Sequence, residues 1–295
     1  GGHAHSLFMH VAQAKVPLPL RAHAQRVVDA TTRLAPSVPA LSARGHRVSA
    51  AAAGRRRTIL DRSEKRRKTM AAASVARAAS GLGGRLHPST AAVFVCDIQD
   101  KFRNHIFGMP AVIDTTSKVV RGANALKVPV FVTEQYPQRL GQTVPELAPH
   151  LGLEARPAIA KTKFSMWTPE LERAVAEHDG RTKEQDPHSP GVQQVLLCGI
   201  EAHVCILQTA SDLLARGYEV HVVVDGVSSQ RPVERAVALQ RLAQMGAYLC
   251  TSEMAVFQMC GDSKHPNFRE ISAIAKEARP DPLPFNGVAV GTNNL

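Results

Sequence analysis

Four side chains stand where an alternating chain would leave reactive groups together. Asp97 closes the apolar run that begins at Ala91, Lys161 and Lys163 follow a shorter run, and Cys205 follows the run Val195–Cys198. A carboxylate can take a thiol's proton, and a nearby ammonium favours the thiolate and anchors the carboxylate. These are the parts of covalent acyl chemistry. The spacing predicts a helix from about Ala202 to Arg216, stopped by Gly217 and entered directly from a buried strand bounded by Gly199. Cys205 falls in its first turns. A thiol there meets the positive end of the helix dipole and free backbone N–H groups, which lower a cysteine pKa and can hold an oxyanion. Each residue also has a plainer reading. Free cysteines are among the most buried residues, an Asp after a strand can simply cap a turn, and either lysine could be a surface lysine. Residue type alone does not say which of Lys161 and Lys163 faces the site. The coincidence of three strand ends, more than any one residue, points to a nucleophile.

The elements that must position these groups are legible as alternation. Apolar runs predict strands at 91–97, 128–134, 157–161, 195–198, 219–225 and 247–251. Helical spacing runs from Pro110 to about Lys127, from Pro169 to about His178, from about Ala202 to Arg216, over 231–245 and over 252–278. The Pro- and Gly-punctuated stretches 135–149 and 179–191 read as loops. Such alternation predicts an α/β three-layer sandwich, with a mostly parallel six-stranded sheet and helices on both faces. Ligands of such sheets bind outside the carboxyl ends of the strands, where Asp97, the lysine pair and Cys205 fall.

Three segments then carry a resemblance. Phe94-Val-Cys-Asp97-Ile-Gln99-Asp-Lys-Phe102, Lys161-Thr-Lys-Phe-Ser165 and Gly199-Ile-Glu-Ala-His-Val-Cys205 resemble the three motifs of the isochorismatase-like cysteine hydrolases, over residues 91 to about 278. Thr133-Glu-Gln-Tyr-Pro137 and Phe164-Ser-Met166 are most similar to the type 2 branch of the eukaryotic isochorismatase domain-containing proteins. The resemblance implies a Rossmann-like fold and a catalytic triad of Asp97, Lys161 and Cys205. Lys161 is preferred to Lys163 because the family lysine stands three residues before an aromatic-Ser pair, here Phe164-Ser165. It also implies a non-proline cis peptide between Ile200 and Glu201, with the Glu201 and Cys205 N–H groups aimed at an oxyanion. The implied reaction is attack by Cys205 on an amide-type carbonyl of a small molecule, through a thioester that water hydrolyses, in a homo-oligomer.

The family turn usually carries a small residue and Thr before the cysteine, where this chain has Glu201-Ala202. Cys205 itself argues against the enol-ether hydrolases of the family, which lack it. Gln99, Phe102, Tyr136, Phe164 and His203 are candidate substrate contacts, and Trp167 lies beside the lysine motif. The metal-binding Asp-x-His cluster of nicotinamidase relatives has no counterpart after the second strand. His105, His150 and His178 lack ligand spacing, so neither metal nor other cofactor is expected. A rival reading keeps the fold and makes the chain a protein-binding module with little turnover.

Composition bounds the remainder. No run approaches the ~18 apolar residues of a membrane helix. Five cysteines (96, 198, 205, 250, 260) form no CxxC pair and are odd in number, which fits a reducing compartment and free thiols. The net charge of +11 is unevenly held: residues 1–90 carry 16 of 36 Lys+Arg and 3 of 25 Asp+Glu, leaving 20 basic and 22 acidic side chains for 91–295. Nucleic-acid binding by the folded part therefore has no support from charge. Residues 1–69 read as a disordered basic extension. They have the composition of a mitochondrial transit peptide. They also hold Arg55–Arg57 and Lys65–Lys68, spaced as a two-part nuclear import signal. A third reading makes them an upstream extension of a gene whose ordinary start is Met70. It is placed first, with a cytoplasmic protein as its consequence. Residues 70–90 are a linker, 91–278 the hydrolase-like domain, and 279–295 a C-terminal tail.

Overall fold

Runs of Val, Phe, Leu and Cys with no polar alternation belong to strands covered on both faces, and the chain uses them so. The computed structural model describes residues 84–278 with 280, 283 and 284. Residues 1–69, most of the linker and most of the tail lie outside the described residues. Six strands, β1 (Ala91–Cys96), β2 (Val130–Gln135), β3 (Ile159–Lys161), β4 (Gln194–Ile200), β5 (Glu219–Ser228) and β6 (Tyr248–Cys250), form one sheet in the order β3-β2-β1-β4-β5-β6. Every pairing is parallel. All residues of β1 and β4, the two central strands, are buried.

The helices are α1 (Met109–Ala125), α2 (Pro137–Leu140), α3 (Ala148–Leu151), α4 (Pro169–Gln185), α5 (Leu207–Ala215), α6 (Pro232–Gln244), α7 (Ser252–Cys260) and α8 (Phe268–Lys276). Val93, Val95, Val130 and Leu196 face a core layer filled from α1, α3, α7 and α8. Ala92, Phe94, Cys96, Val195 and Leu197 face the opposite layer, filled from α4, α5 and α6. The period-two alternation of a strand thus feeds two cores, and the architecture is the expected three-layer α/β sandwich.

Element ends differ from the sequence reading for local reasons. The helix opened by Pro169 continues to Gln185, well past His178, because Thr168 caps it and its later turns need bury little. The 135–149 loop contains the short helix α2 and runs into the short helix α3, both with proline in the first turn. Helical residues 252–278 divide at Gly261, whose φ of 73° ends α7. Cys205 lies in a wide π-type turn, Ala202–Ile206, that precedes α5. In that turn Glu201 O accepts from the N–H of both Val204 (3.0 Å) and Ile206 (3.1 Å).

Topology supplies the crevice. From β1 the chain builds outward through β2 and β3, and from β4 it builds the other way through β5 and β6. The order reverses between β1 and β4, the switch point at which such sheets bind ligands. Cys96 of β1 is in register with Gly199 of β4. A Cβ on residue 199 would lie 2.1 Å from Cys96 O, and its φ is +119°, so only glycine lets β4 run this close to β1.

Candidate active site

The residue after β1 is Asp97, in the left-handed region at φ 53°, a conformation that Asp tolerates better than most residues. Its N–H donates to Thr133 O of β2 (3.1 Å) and its carbonyl accepts from Gln99 N (2.9 Å). This turn sends the carboxylate into the crevice instead of back over the sheet. There Oδ1 accepts from Thr133 Oγ1 (2.8 Å) and Oδ2 from Lys161 Nζ (2.6 Å).

Lys161 is the last residue of β3 and is buried. Its ammonium donates to Asp97 Oδ2, to Gln135 Oε1 (2.6 Å) and to the carbonyls of Phe164 (3.1 Å) and Lys163 (3.2 Å), and lies 4.0 Å from Cys205 Sγ. Burial alone would lower its pKa, but the acidic groups around it, Cys96, Asp97 and Cys205, hold it above the ordinary lysine value; with Cys96 protonated, the Asp97 carboxylate is the partner that matters most. The ammonium is thus a permanent charge. Lys163 turns away, to Asp212 Oδ2 (2.8 Å) and Trp167 O (2.9 Å) at the surface. The structure therefore separates two lysines that residue type could not.

Cys205 completes the group from the turn after β4. Its Sγ, a carboxylate oxygen of Asp97 and Cys96 Sγ all lie within 4.8 Å of one another, and all three residues are buried. Cys96 Sγ is 3.4 Å from Asp97 Oδ2. Burial, a hydrogen bond with Cys205 and the charge of Asp97 raise the Cys96 thiol well above its ordinary value, so it stays protonated. The Cys205 carbonyl accepts from Thr209 Oγ1 (2.6 Å), which itself accepts from Met166 N (2.8 Å). That chain ties the cysteine turn to the segment after β3. The Ile200–Glu201 peptide is cis.

The other expected contacts divide. Gln99 is fully buried; Nε2 donates to Gln135 O (3.0 Å) and Gly141 O (2.6 Å), and Oε1 accepts from Gln135 N (2.7 Å). With both amide hydrogens engaged by backbone, it holds the end of β2. Phe102 packs against the core layer on the α1 side. Tyr136 (42% exposed) and Phe164 (51% exposed) stand open at the rim. Tyr136 lines a cavity of about 500 Å³ with Lys161, Lys163, Thr168 and Pro169. Glu201 Oε2 accepts from Gln230 N (2.9 Å), and His203 Nδ1 lies 3.0 Å from Ser229 Oγ. The unusual carboxylate is therefore tied to the loop after β5.

Sequence reasoning missed the site contacts of Thr133, Gln135 and Cys96, the last of which is also part of the core layer beneath the site. A signal existed for the first two: Thr133 and Gln135 recur at period two on the carboxyl half of β2, and Thr133 pairs with Cys96 beside Asp97. The pairing register is the missing information. Among the described residues, Cys96, Asp97 and Cys205 are the group whose donor atoms converge closely enough for a metal ion.

The model for the Isochorismatase domain matches residues 91–254. Isochorismatase domain-containing protein 2 of Homo sapiens is 46% identical over 212 residues, covering 72% of this chain and 95% of that protein. The secreted isochorismatase effector Isc1 of Phytophthora sojae is 46% identical over 197 residues, 66% of this chain and 88% of its own length. A solved structure described as the MAR1 ribonuclease of Caenorhabditis elegans superposes with a TM-score of 0.60 at 43% identity. It covers 67% of this chain and 95% of that one.

Proposed function

The chain belongs to the isochorismatase-like hydrolase family, and on that premise we propose that it is a cysteine hydrolase acting on an amide-type carbonyl of a small molecule. The observation that carries the reading is the Lys161 ammonium, 2.6 Å from Asp97 Oδ2 and 4.0 Å from Cys205 Sγ, with all three residues buried. A permanent positive charge beside a thiol favours its thiolate, and a buried carboxylate within reach can receive the proton. The thiolate attacks the carbonyl carbon, and the Glu201 and Cys205 N–H groups serve the developing oxyanion. Collapse expels the amine, which takes the proton held by Asp97. Asp97 then draws a proton from the water that attacks the thioester, and Cys205 is released.

Tyr136, Phe164 and His203 are the proposed substrate contacts. The C. elegans neighbour is described as a ribonuclease, so RNA is the second substrate class to include. The near-balance of charge over residues 91–295 offers it no excess of cations. Homo-oligomerisation remains part of the proposal through the family.

The test is alkylation of Cys205 by iodoacetamide across roughly pH 5 to 9, in wild type, Asp97→Asn and Lys161→Met. Expected is alkylation near neutral pH faster than that of a free thiol, slowed by either substitution. Acylation is then followed by mass spectrometry against a panel of amides. A Cys205 that reacts no faster than an ordinary thiol in all three proteins sinks the hydrolase reading and leaves a protein-binding module in its place.

A further inference from the structure

Cys96 has no part in the proposed reaction, yet it stands on the same face of the sheet as Cys205 and against the same carboxylate. We infer that Cys96, Asp97 and Cys205 form a binding site for a thiophilic divalent cation such as Zn²⁺ or Cd²⁺, which on occupancy blocks the nucleophile. That blockade rests on the hydrolase reading; the binding does not.

Three observations support the site. The first is spacing. A tetrahedral ion with ~2.3 Å bonds to sulfur and ~2.1 Å to oxygen sets neighbouring ligand atoms roughly 3.6–3.8 Å apart. Cys96 Sγ and Asp97 Oδ2 are already 3.4 Å apart, and Cys205 Sγ lies within 4.8 Å of both donor groups.

The second is donor type. Two sulfurs and one carboxylate oxygen select a soft or borderline cation over Mg²⁺ or Ca²⁺ and leave a fourth position open.

The third is charge. The empty site holds the Cys96 thiol, one proton held by either Cys205 or Asp97, and the Lys161 ammonium. Binding sends the Cys96 proton and that second proton to solvent and forms two metal–sulfur bonds, with no change of oxidation state. The two thiolates offset the dication, so the net charge of the buried group is the same before and after, and no uncompensated charge is buried. Lys161 need not follow the carboxylate, because Gln135 Oε1 and the carbonyls of Lys163 and Phe164 already hold its ammonium.

The experiment titrates the reduced full chain with Cd²⁺ alone, without substrate, and reads the ultraviolet cadmium–thiolate band. Expected is one ion per chain, about two protons released per ion in weak buffer, and reversal by a chelator. Bound Cd²⁺ should also slow Cys205 alkylation at least tenfold. Cys96→Ser and Cys205→Ser should each weaken binding at least tenfold, with circular dichroism confirming that the variants fold. Zinc-edge X-ray absorption on the wild type, which needs no variant, should show two sulfur ligands. No cadmium–thiolate band, an unaltered band in Cys96→Ser, or fewer than two sulfur ligands would overturn the site. If Cd²⁺ binds as expected but Cys205 alkylates like a free thiol in its absence, the site stands and the hydrolase reading falls.

Discussion

Asp97 is a carboxylate in a nearly water-free place, so its partners decide both its stability and its use. Thr133 Oγ1 is the partner of Oδ1. Thr133→Val keeps the shape of the side chain and removes the donor, leaving half of a charged acceptor unmade, which costs about 1.5–3 kcal/mol. Urea unfolding should show that loss, and the rate of Cys205 alkylation should change as the carboxylate loses a fixed position. An unchanged unfolding midpoint would remove Thr133 from the site. Lys161 makes a stronger case. Lys161→Met strands the buried carboxylate, and breaking one side of a buried pair costs on the order of 3–5 kcal/mol. The double variant Asp97→Asn/Lys161→Met carries no stranded charge, so it should recover most of that stability while Cys205 keeps the reactivity of an ordinary thiol. Additive losses in the double variant would mean that the two side chains do not work as a pair.

Among the elements, the β5–β6 edge has a titratable group in its packing. His221 of β5 is paired in register with Tyr248 of β6 and stacks on it at 5.0 Å between ring centroids. It is 1% exposed, its Nε2 has no hydrogen-bond partner among the described residues, and burial pushes its pKa down to about 4 from 6.5. The unfolded chain therefore takes up a proton near pH 6.5 that the folded chain refuses until about 4. This contribution to stability is whole above pH 6.5 and is lost as pH falls toward 4, by roughly 3 kcal/mol at about 1.4 kcal/mol per pH unit. His221→Phe should flatten the unfolding free energy over that window; a slope identical to wild type would show that other groups set it. The same elements explain what the sequence could and could not say. β1, β4 and β5 were legible because strands buried on both faces are dense in apolar residues, with few polar ones between them. The end of α4 was not, since Thr182, Lys183 and Glu184 suit an exposed helix as well as a loop. Asp97, Lys161 and Cys205 were legible as strand-end residues because parallel topology gathers carboxyl ends. Thr133, Gln135 and Cys96 were not, because their roles depend on which strands pair and in what register, and no single strand carries that information.

At the scale of the whole chain, the net charge is carried outside the stretch that holds the described strands and the site. Among the described residues, the six strands fall between Ala91 and Cys250, and both core layers draw on residues between Leu86 and Leu283. Residues 1–69 hold 14 basic and 3 acidic side chains, which equals the whole +11, so residues 70–295 are neutral in sum. A reading in which the chain acts on nucleic acid or another polyanion finds its excess of cations in residues 1–69, whereas Asp97, Lys161 and Cys205 all lie within residues 91–295. A chain starting at Met70 tests this directly. It should unfold at the same temperature as the full chain and alkylate Cys205 with the same pH profile, because no element of the sheet or of the site has been removed. Its retention on heparin should drop to that of a neutral protein, and the full chain's retention should fall steeply with salt, as a counterion-release interaction requires. A lowered melting temperature or an altered Cys205 profile would mean that residues 1–69 contribute to the domain's stability or site. Retained heparin binding would mean that a local cluster of cations on the domain, hidden by its overall neutrality, does the binding.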